Sequence, residues 1–436
     1  MSILLTNAIL VDIEPMQVEC ASIRLDRSRI VARGALEQQA GDEVVDCDGC
    51  VVIPGLVNGH THLYSALAVG MPAPPRVPTN FHEILKYVWW RLDKALTPES
   101  NELSAQISAL DALRCGTTTL IDHHASPEAI DGSLDSIESG IRTVGLRGVL
   151  CYELTDRNGL TGRDAGLAEN RRYLEKCAPR HDHQFAALAG AHASFTLRDE
   201  SLRKLVALAD EFGVGVHIHV AEDPCDEAVT RSVYGNKLVD RLDYFGLLSP
   251  RHIFGHCTHL SPDDVRRIND AGVGIAQNTR SNMNNAVGYA PIGTLTGPIQ
   301  LGTDGIGADL FEEARTAWFK SRDGHTGVGV DRVIGMLAAS ARRASQALGV
   351  TVGKLEVGAA ADVVVTDYFP ATLINSDNLA GHWLFALASR HVRHVMVAGR
   401  WALKDRVVLA CDERAVRARA AMAASELWTR MGRLPC

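Results

Sequence analysis

No run in this chain of 436 residues approaches the roughly 18 consecutive apolar residues that a spanning helix needs, which argues against a membrane protein. There is no excess of basic charge either. Lys and Arg number 44 against 52 Asp and Glu, for a formal net charge of −8. Such a chain has no general attraction for a phosphate backbone, so no nucleic-acid partner is expected. The start, MSILLTNAILVDIEP, has neither a basic n-region nor a small-residue cleavage site, and no secretory signal is read there. Low-complexity stretches and internal repeats are missing. The ten cysteines lie far apart, and the nearest pair, Cys47 and Cys50, would be half of a zinc site that no second pair completes. Reduced thiols in a cytoplasm are the expectation. No Gly-x-Gly-x-x-Gly follows an early strand, so an open dinucleotide-binding sheet has no support. What is present is an ordinary globular composition, 46% hydrophobic and 22% charged, together with 17 histidines. Their placement carries the information.

The first fifty residues consist of short Val- and Ile-rich strands broken by Asp, Arg and Gly: Ile3–Val11, Ala21–Leu25, Ile30–Gly34 and Val44–Cys47. From Val51 to about Val350, β-branched runs alternate with segments of helical period. With Val57–His62 as the first strand, the others are Thr117–Asp122, Arg147–Leu154, Phe185–His192, Gly215–Ala221, His252–His256, Val273–Asn278 and Pro298–Thr303. Eight strands alternating with helices predict an α/β fold, a (β/α)8 TIM barrel. The tail returns to strands at Asp362–Asp367, Val392–Val397 and Val407–Ala410, then a helix over Glu413–Met431. Strands at both ends of one barrel predict a small β-sandwich built from both termini. The expected division is therefore 1–50 and 351–436 for the sandwich and terminal helix, and 51–350 for the catalytic barrel.

His60 and His62 stand two apart at the end of the first barrel strand, so both rings project to one face. His217 and His219 repeat that spacing on strand five, with Glu222 on the loop beyond. His256 ends strand six, and Asp304 follows strand eight in Leu301-Gly302-Thr303-Asp304-Gly305. Each residue alone is unremarkable. Together they occupy the C-terminal ends of strands one, five, six and eight, where a barrel collects distant residues into one site.

Three imidazoles and one carboxylate suit one divalent metal ion. Zinc is assigned to His60, His62, His219 and Asp304, with iron as the alternative. Water on such an ion has a pKa of about 7, so hydroxide is available near neutrality. Glu222 fits a proton shuttle to a substrate ring nitrogen, and Asp304 a proton acceptor beside the metal. His256 fits a donor to the attacking oxygen or a fifth ligand. A second metal would need a bridging group, often a carbamylated lysine, at the end of strand four. That end is Ala191-His192-Ala193-Ser194, and the nearest lysines, Lys176 and Lys204, lie in helical segments. One ion is favoured.

The motifs PGLVNGHTHL, HIHVAE, GHC and LGTDG resemble the amidohydrolase superfamily. The branch resembled is that of metal-dependent aminohydrolases such as guanine deaminase, S-adenosylhomocysteine deaminase and the triazine chlorohydrolases. GKLEVGAAADVVV and VRHVMVAGRWAL look like the family's flanking β-sandwich. WWRLDKAL, IDHHASP, ELTDRN, TRSNMNN and LGTDGIGADLFEE look like SsnA-type aminohydrolases, a group associated with selenium-linked purine metabolism. The resemblance supports the roles given to the metal and catalytic residues and orders nearly the whole chain.

Five residues are candidates for substrate contact. His192, after strand four, matches a position that contacts substrate in the wider family, against packing at the rim. Asn282, after strand seven, would hold substrate or brace a turn. Arg157 would bind a carbonyl oxygen or an anionic edge, against a surface salt bridge. His123, beside His124 at the end of strand two, would approach substrate or support a ligand histidine. Trp89, beside Trp90, would stack on substrate, against a core or subunit contact. The function expected is hydrolytic deamination of an amino-substituted N-heterocycle, a purine or pterin, by metal-bound hydroxide. The alternatives are hydrolysis of a cyclic amide or a triazine C–X bond at the same site, and a non-catalytic metal-bound scaffold in selenium-linked metabolism. The partners expected are a small heterocyclic substrate and a second copy of the chain, as a homodimer or higher homo-oligomer.

Overall fold

The structure is a computed structural model that describes residues 2–435. Five strands come first: β1 (Ser2–Ile13), β2 (Met16–Asp26), β3 (Arg29–Gly34), β4 (Asp42–Asp46) and β5 (Val51–Pro54). Nine strands follow, with helices between all but β9 and β10: β6 (Leu56–Thr61), β7 (Thr117–His124), β8 (Arg147–Tyr152), β9 (Phe185–Ala187), β10 (Ala189–Ala193), β11 (Val216–Val220), β12 (Ile253–His256), β13 (Gly274–Gln277) and β14 (Ile299–Leu301). Four strands close the chain before the terminal helix: β15 (Val363–Thr366), β16 (Val392–Val397), β17 (Arg400–Lys404) and β18 (Val407–Val408).

Strands β6 to β9 form one parallel sheet and β10 to β14 another. Isolated parallel bridges join them at both edges, Leu154 to Ala191 and Thr61 to Asp304. The strand expected over Phe185–His192 is thus broken at Leu188 into β9 and β10. Buried helix faces cover the sheets. The helix Pro98–Arg114 starts on a capping box between Thr97 and Ser100, and Pro262–Ala271 starts on one between Ser261 and Asp264. Asp199–Phe212 stops at Gly213, whose φ of 65° a side chain would resist.

The terminal strands build one hydrogen-bonded sheet in the order β18-β17-β16-β15-β5-β1-β2-β3, with β4 also on β1. Two details differ from the sequence reading. Val51–Pro54, assigned to the barrel segment, lies in this sheet between β1 and β15 and is buried on both faces. Strand β17 was not anticipated; it follows β16 through a two-residue turn at Ala398 and Gly399, both at positive φ. The sheet bends so that its β3 edge meets the residues ahead of β15, where Ile30 N–H donates to Ala359 O at 3.0 Å. Leu5, Ile23 and Ile30 from one end then share a core with Val363 and Met396 from the other.

A buried ion pair ties this sheet to the parallel strands. Arg147 on β8 holds both carboxylate oxygens of Asp362, at 2.7 and 3.0 Å. The terminal helix, Glu413–Arg433, buries Ala420, Ala424 and Leu427. Trp428 Nε1 donates to Leu67 O at 2.8 Å, so this helix braces the segment that follows β6. Among the described residues no helix is long and apolar enough to cross a membrane.

Candidate active site

Strand β6 delivers His60 and His62, β11 delivers His219, and Asp304 follows β14. His62 Nε2 lies 3.2 Å from His219 Nε2 and 3.0 Å from Asp304 Oδ1. His60 Nε2 lies 3.5 Å from the same oxygen. One ring nitrogen each from His60, His62 and His219 falls within 4.8 Å of the others, as do ligand atoms of His60, His256 and Asp304. The outer ring nitrogens are engaged elsewhere. His62 Nδ1–H donates to His123 O at 2.6 Å, and His219 Nδ1–H to His192 O at 2.9 Å. His60 Nδ1 meets His217 Nε2 at 2.8 Å. These bonds leave the Nε2 lone pairs facing one another.

The electrostatics agree with a cation at this point. Burial pushes His60 down to about 3 and His219 well below the ordinary histidine range, so both rings offer neutral nitrogens. Burial alone would raise Asp304, yet the histidines around it, His60 and His62 first, hold it well below the carboxylate range. His60 Nε2 is buried without a hydrogen-bond partner. Against burial, the hydrogen bond and charge of Asp304 raise His62 to about 9, a proton that a cation held at Nε2 would displace. Neutral His60 and His219, the anionic oxygen of Asp304 and the orphaned His60 Nε2 fit a divalent metal of the zinc or iron type.

The backbone bends to aim these groups. Ala221, His256 and Asp304 follow or end their strands at φ of 51°, 69° and 53°. Non-glycine residues in that region are strained, and such strain gathers at functional sites. The turn at Ala221 brings Glu222 into the cleft, its Oε2 3.6 Å from His256 Nε2. Burial raises the Glu222 carboxyl to about 7; Asp304 adds to the rise and His256 opposes it. The Ser281 hydroxyl donates to Asp304 Oδ2.

These groups open into a single cleft. Of the expected substrate contacts, Trp89, Arg157 and His192 line it. Asn282 and His123 do not. Asn282 Oδ1 accepts from His256 Nδ1 at 2.8 Å and so braces a catalytic candidate. His123 lies beneath the cluster, its Nε2–H donating to His217 O at 3.1 Å and its Nδ1 3.3 Å from Glu153. Arg157 is no surface ion pair. Its guanidinium sits over Trp90 at 5.0 Å and bonds Asp93 at 2.9 Å and Glu153 at 3.1 Å. His192 Nδ1 is 2.7 Å from Thr196 Oγ1, and burial holds the ring down to about 3. Neither lysine considered from sequence reaches the cleft: Lys176 bonds Glu138 at 2.9 Å and Lys204 bonds Glu200 at 2.8 Å.

Sequence reasoning missed Glu153, Asp93 and Ser281, all cleft residues. Glu153 directly follows β8, and the strand-end rule applied to His60 and His256 would have found it. Asp93 lies on a helix after β6, with no local signal. Burial raises its carboxyl to about 7 against the pull of Arg157.

The amidohydrolase family matches residues 51–402. The 5'-deoxyadenosine deaminase of Methanosarcina barkeri is 28% identical over 98% of this chain and 99% of its own. The 5-methylthioadenosine/S-adenosylhomocysteine deaminase of Halobacterium salinarum is 30% identical over 93% of both chains. Among solved structures, a zinc-bound adenosine deaminase from Xanthomonas campestris superposes with a TM-score of 0.85 at 24% identity, covering 98% of both chains. A family match over most of the length, with HTH, HIHVAE, GHC and TDG all at strand ends, has one meaning: the chain belongs to the amidohydrolase family.

Proposed function

We propose that this chain is a hydrolytic deaminase of an amino-substituted, purine-like N-heterocycle, a hydrolase of carbon–nitrogen bonds other than peptide bonds. The observation that carries this reading is Glu222: a buried carboxyl near neutrality, sharing one cleft with His62, His219 and Asp304. Relatives matched over nearly the full chain are named as deaminases of adenosine-type compounds. The two parallel sheets, joined by bridges at both edges, are taken as one closed (β/α)8 barrel, and the terminal strands as its separate β-rich domain.

His60, His62, His219 and Asp304 would hold one divalent ion, zinc in the first instance. Such an ion supplies Lewis acidity that brings the pKa of water to about 7. The chain's own groups then manage protons. Glu222, its carboxyl raised to about 7 by burial, delivers a proton to the ring nitrogen beside the amino-bearing carbon, breaking aromaticity there. His256 gives its Nδ1–H to Asn282 and turns Nε2 into the cleft, where it would lie against the attacking oxygen. Asp304 accepts the proton of the attacking water and returns it to the departing amine. As the carbon–oxygen double bond forms, the remaining proton of the new hydroxyl restores Glu222, and ammonia leaves.

An ammonia-release screen tests this, with zinc-loaded protein against aminopurines, 5'-deoxyadenosine-type nucleosides, pterins and aminopyrimidines. Ammonia from at least one purine-like member is the expected result. Silence across the panel from fully loaded protein would overturn the assignment. Product without ammonia would move the chemistry to ring opening or C–X hydrolysis.

A further inference from the structure

The three candidate ligand imidazoles are each held through the outer ring nitrogen, but not by the same kind of partner. His62 and His219 donate to backbone carbonyls of β7 and β10, which no side-chain substitution removes. His60 meets a side chain, His217 Nε2, at 2.8 Å. We propose that His217 is a positioning residue for the metal centre, an imidazole acceptor that fixes the tautomer and ring angle of His60 and so sets metal affinity.

Strand alternation places His217 on the same face as His219, one layer deeper below the ligand cluster. Both His60 and His217 are fully buried. If His60 carries its proton on Nδ1 and donates it, Nε2 keeps the lone pair that a cation needs. The reverse assignment would protonate His60 Nε2 and remove it as a ligand. His217, as acceptor through Nε2, must then carry its own proton on Nδ1. That atom is buried and has no hydrogen-bond partner. An unpaired buried N–H is costly, so stability alone does not favour a histidine here. The ring is also prevented from turning away. The His60 and His123 rings each pack against it at 4.8 Å, and His123 Nε2–H holds the His217 carbonyl.

This inference rests on the metal reading above, but its test does not use ammonia release. His217→Phe fills the ring's space without an acceptor; His217→Gln returns a carbonyl oxygen near the position of Nε2. Each is stripped and titrated with Zn²⁺ against a chromophoric chelator, and loaded with Co²⁺ for its visible spectrum. His217→Phe should bind Zn²⁺ about 10- to 100-fold more weakly and shift the Co²⁺ bands. His217→Gln should stay close to the parent in both. If His217→Phe fails to fold, His217→Asn, polar but too short to reach His60, takes its place with the same expectation. Parent-like affinity and spectrum in His217→Phe or His217→Asn would overturn the proposal, as would an equal loss in His217→Gln. A parent that binds neither ion overturns the metal reading along with it, whereas a silent ammonia screen touches only the deaminase assignment.

Discussion

Asn282 Oδ1 and His256 Nδ1 are 2.8 Å apart, and that bond decides which face of the His256 ring the cleft receives. With Nδ1 engaged, Nε2 points toward Glu222 at 3.6 Å. Asn282→Ala frees the ring without touching the cleft surface. The expected effect is a fall in kcat of about 10- to 100-fold with KM nearly unchanged. A rise in KM at constant kcat would return Asn282 to the substrate-contact role given to it from sequence.

Glu222 and His219 should separate chemistry from metal. His219→Ala removes a ligand, so bound metal and turnover are lost together. Glu222→Gln keeps the shape but loses the transferable proton; it should retain metal and lose about 10²- to 10⁴-fold in kcat. Metal analysis of both purified variants beside the ammonia assay distinguishes the two roles. Equal metal loss would contradict the division.

Gly302 lies where the chain passes behind His60. A Cβ there would meet Asn278 Oδ1 at 2.4 Å and both Cβ and O of His60 at 2.8 Å. Gly302→Ala should therefore destabilise the fold by about 1–3 kcal/mol and weaken metal binding, because the backbone carrying a ligand must shift. Thermal unfolding with and without zinc measures both effects.

Arg147 and Asp362 join the parallel strands to the terminal sheet inside the core. Arg147→Met strands the Asp362 carboxylate, leaving it chiefly the Ala398 N–H at 2.7 Å. A loss of about 3–5 kcal/mol is expected. Removing both charges, as in Arg147→Met with Asp362→Leu, should recover much of it. Denaturant unfolding of the single and double variants provides the check.

Burial raises the Asp122 carboxyl to about 7, against a backbone hydrogen bond from Leu63 and the charge of His62. Across the interval from the unfolded carboxylate value of about 4 up to about 7, the folded protein holds a proton the unfolded chain has released. The Asp122 contribution to stability therefore falls as pH rises through that window and levels off above it. Asp122→Asn removes this slope, so its melting temperature relative to the parent should climb from pH 5 to pH 8. A difference independent of pH would show that Asp122 does not titrate there.

Much of this was legible in the chain itself, for a physical reason. Metal-ligand chemistry concentrates in few residue types, and period-two alternation fixes which of them share a face; His60 with His62 and His217 with His219 needed nothing more. Glu222 and His256 followed from their place at or just beyond strand ends. Less legible were residues whose meaning depends on distant partners. Arg157 has the same letter whether it faces solvent or lies over Trp90 between Asp93 and Glu153. Asn282 gains its role from His256, which it meets only after the chain has folded. Strand β17 was overlooked because its Trp-Ala-Leu core shows no strong alternation, and its hairpin turn uses Ala398 where asparagine would advertise positive φ.

The joining of β5 to β15 has a consequence for synthesis. Strands β1 to β4 can pair among themselves as soon as they emerge, but the outer edge of β5 stays open until roughly three hundred further residues have been made. During that interval an apolar strand, Val51–Pro54, presents unpaired amides to any neighbour, including another nascent copy. Removing the last strands would recreate that exposure permanently, so a C-terminal truncation should aggregate through the N-terminal sheet even with every proposed metal ligand intact.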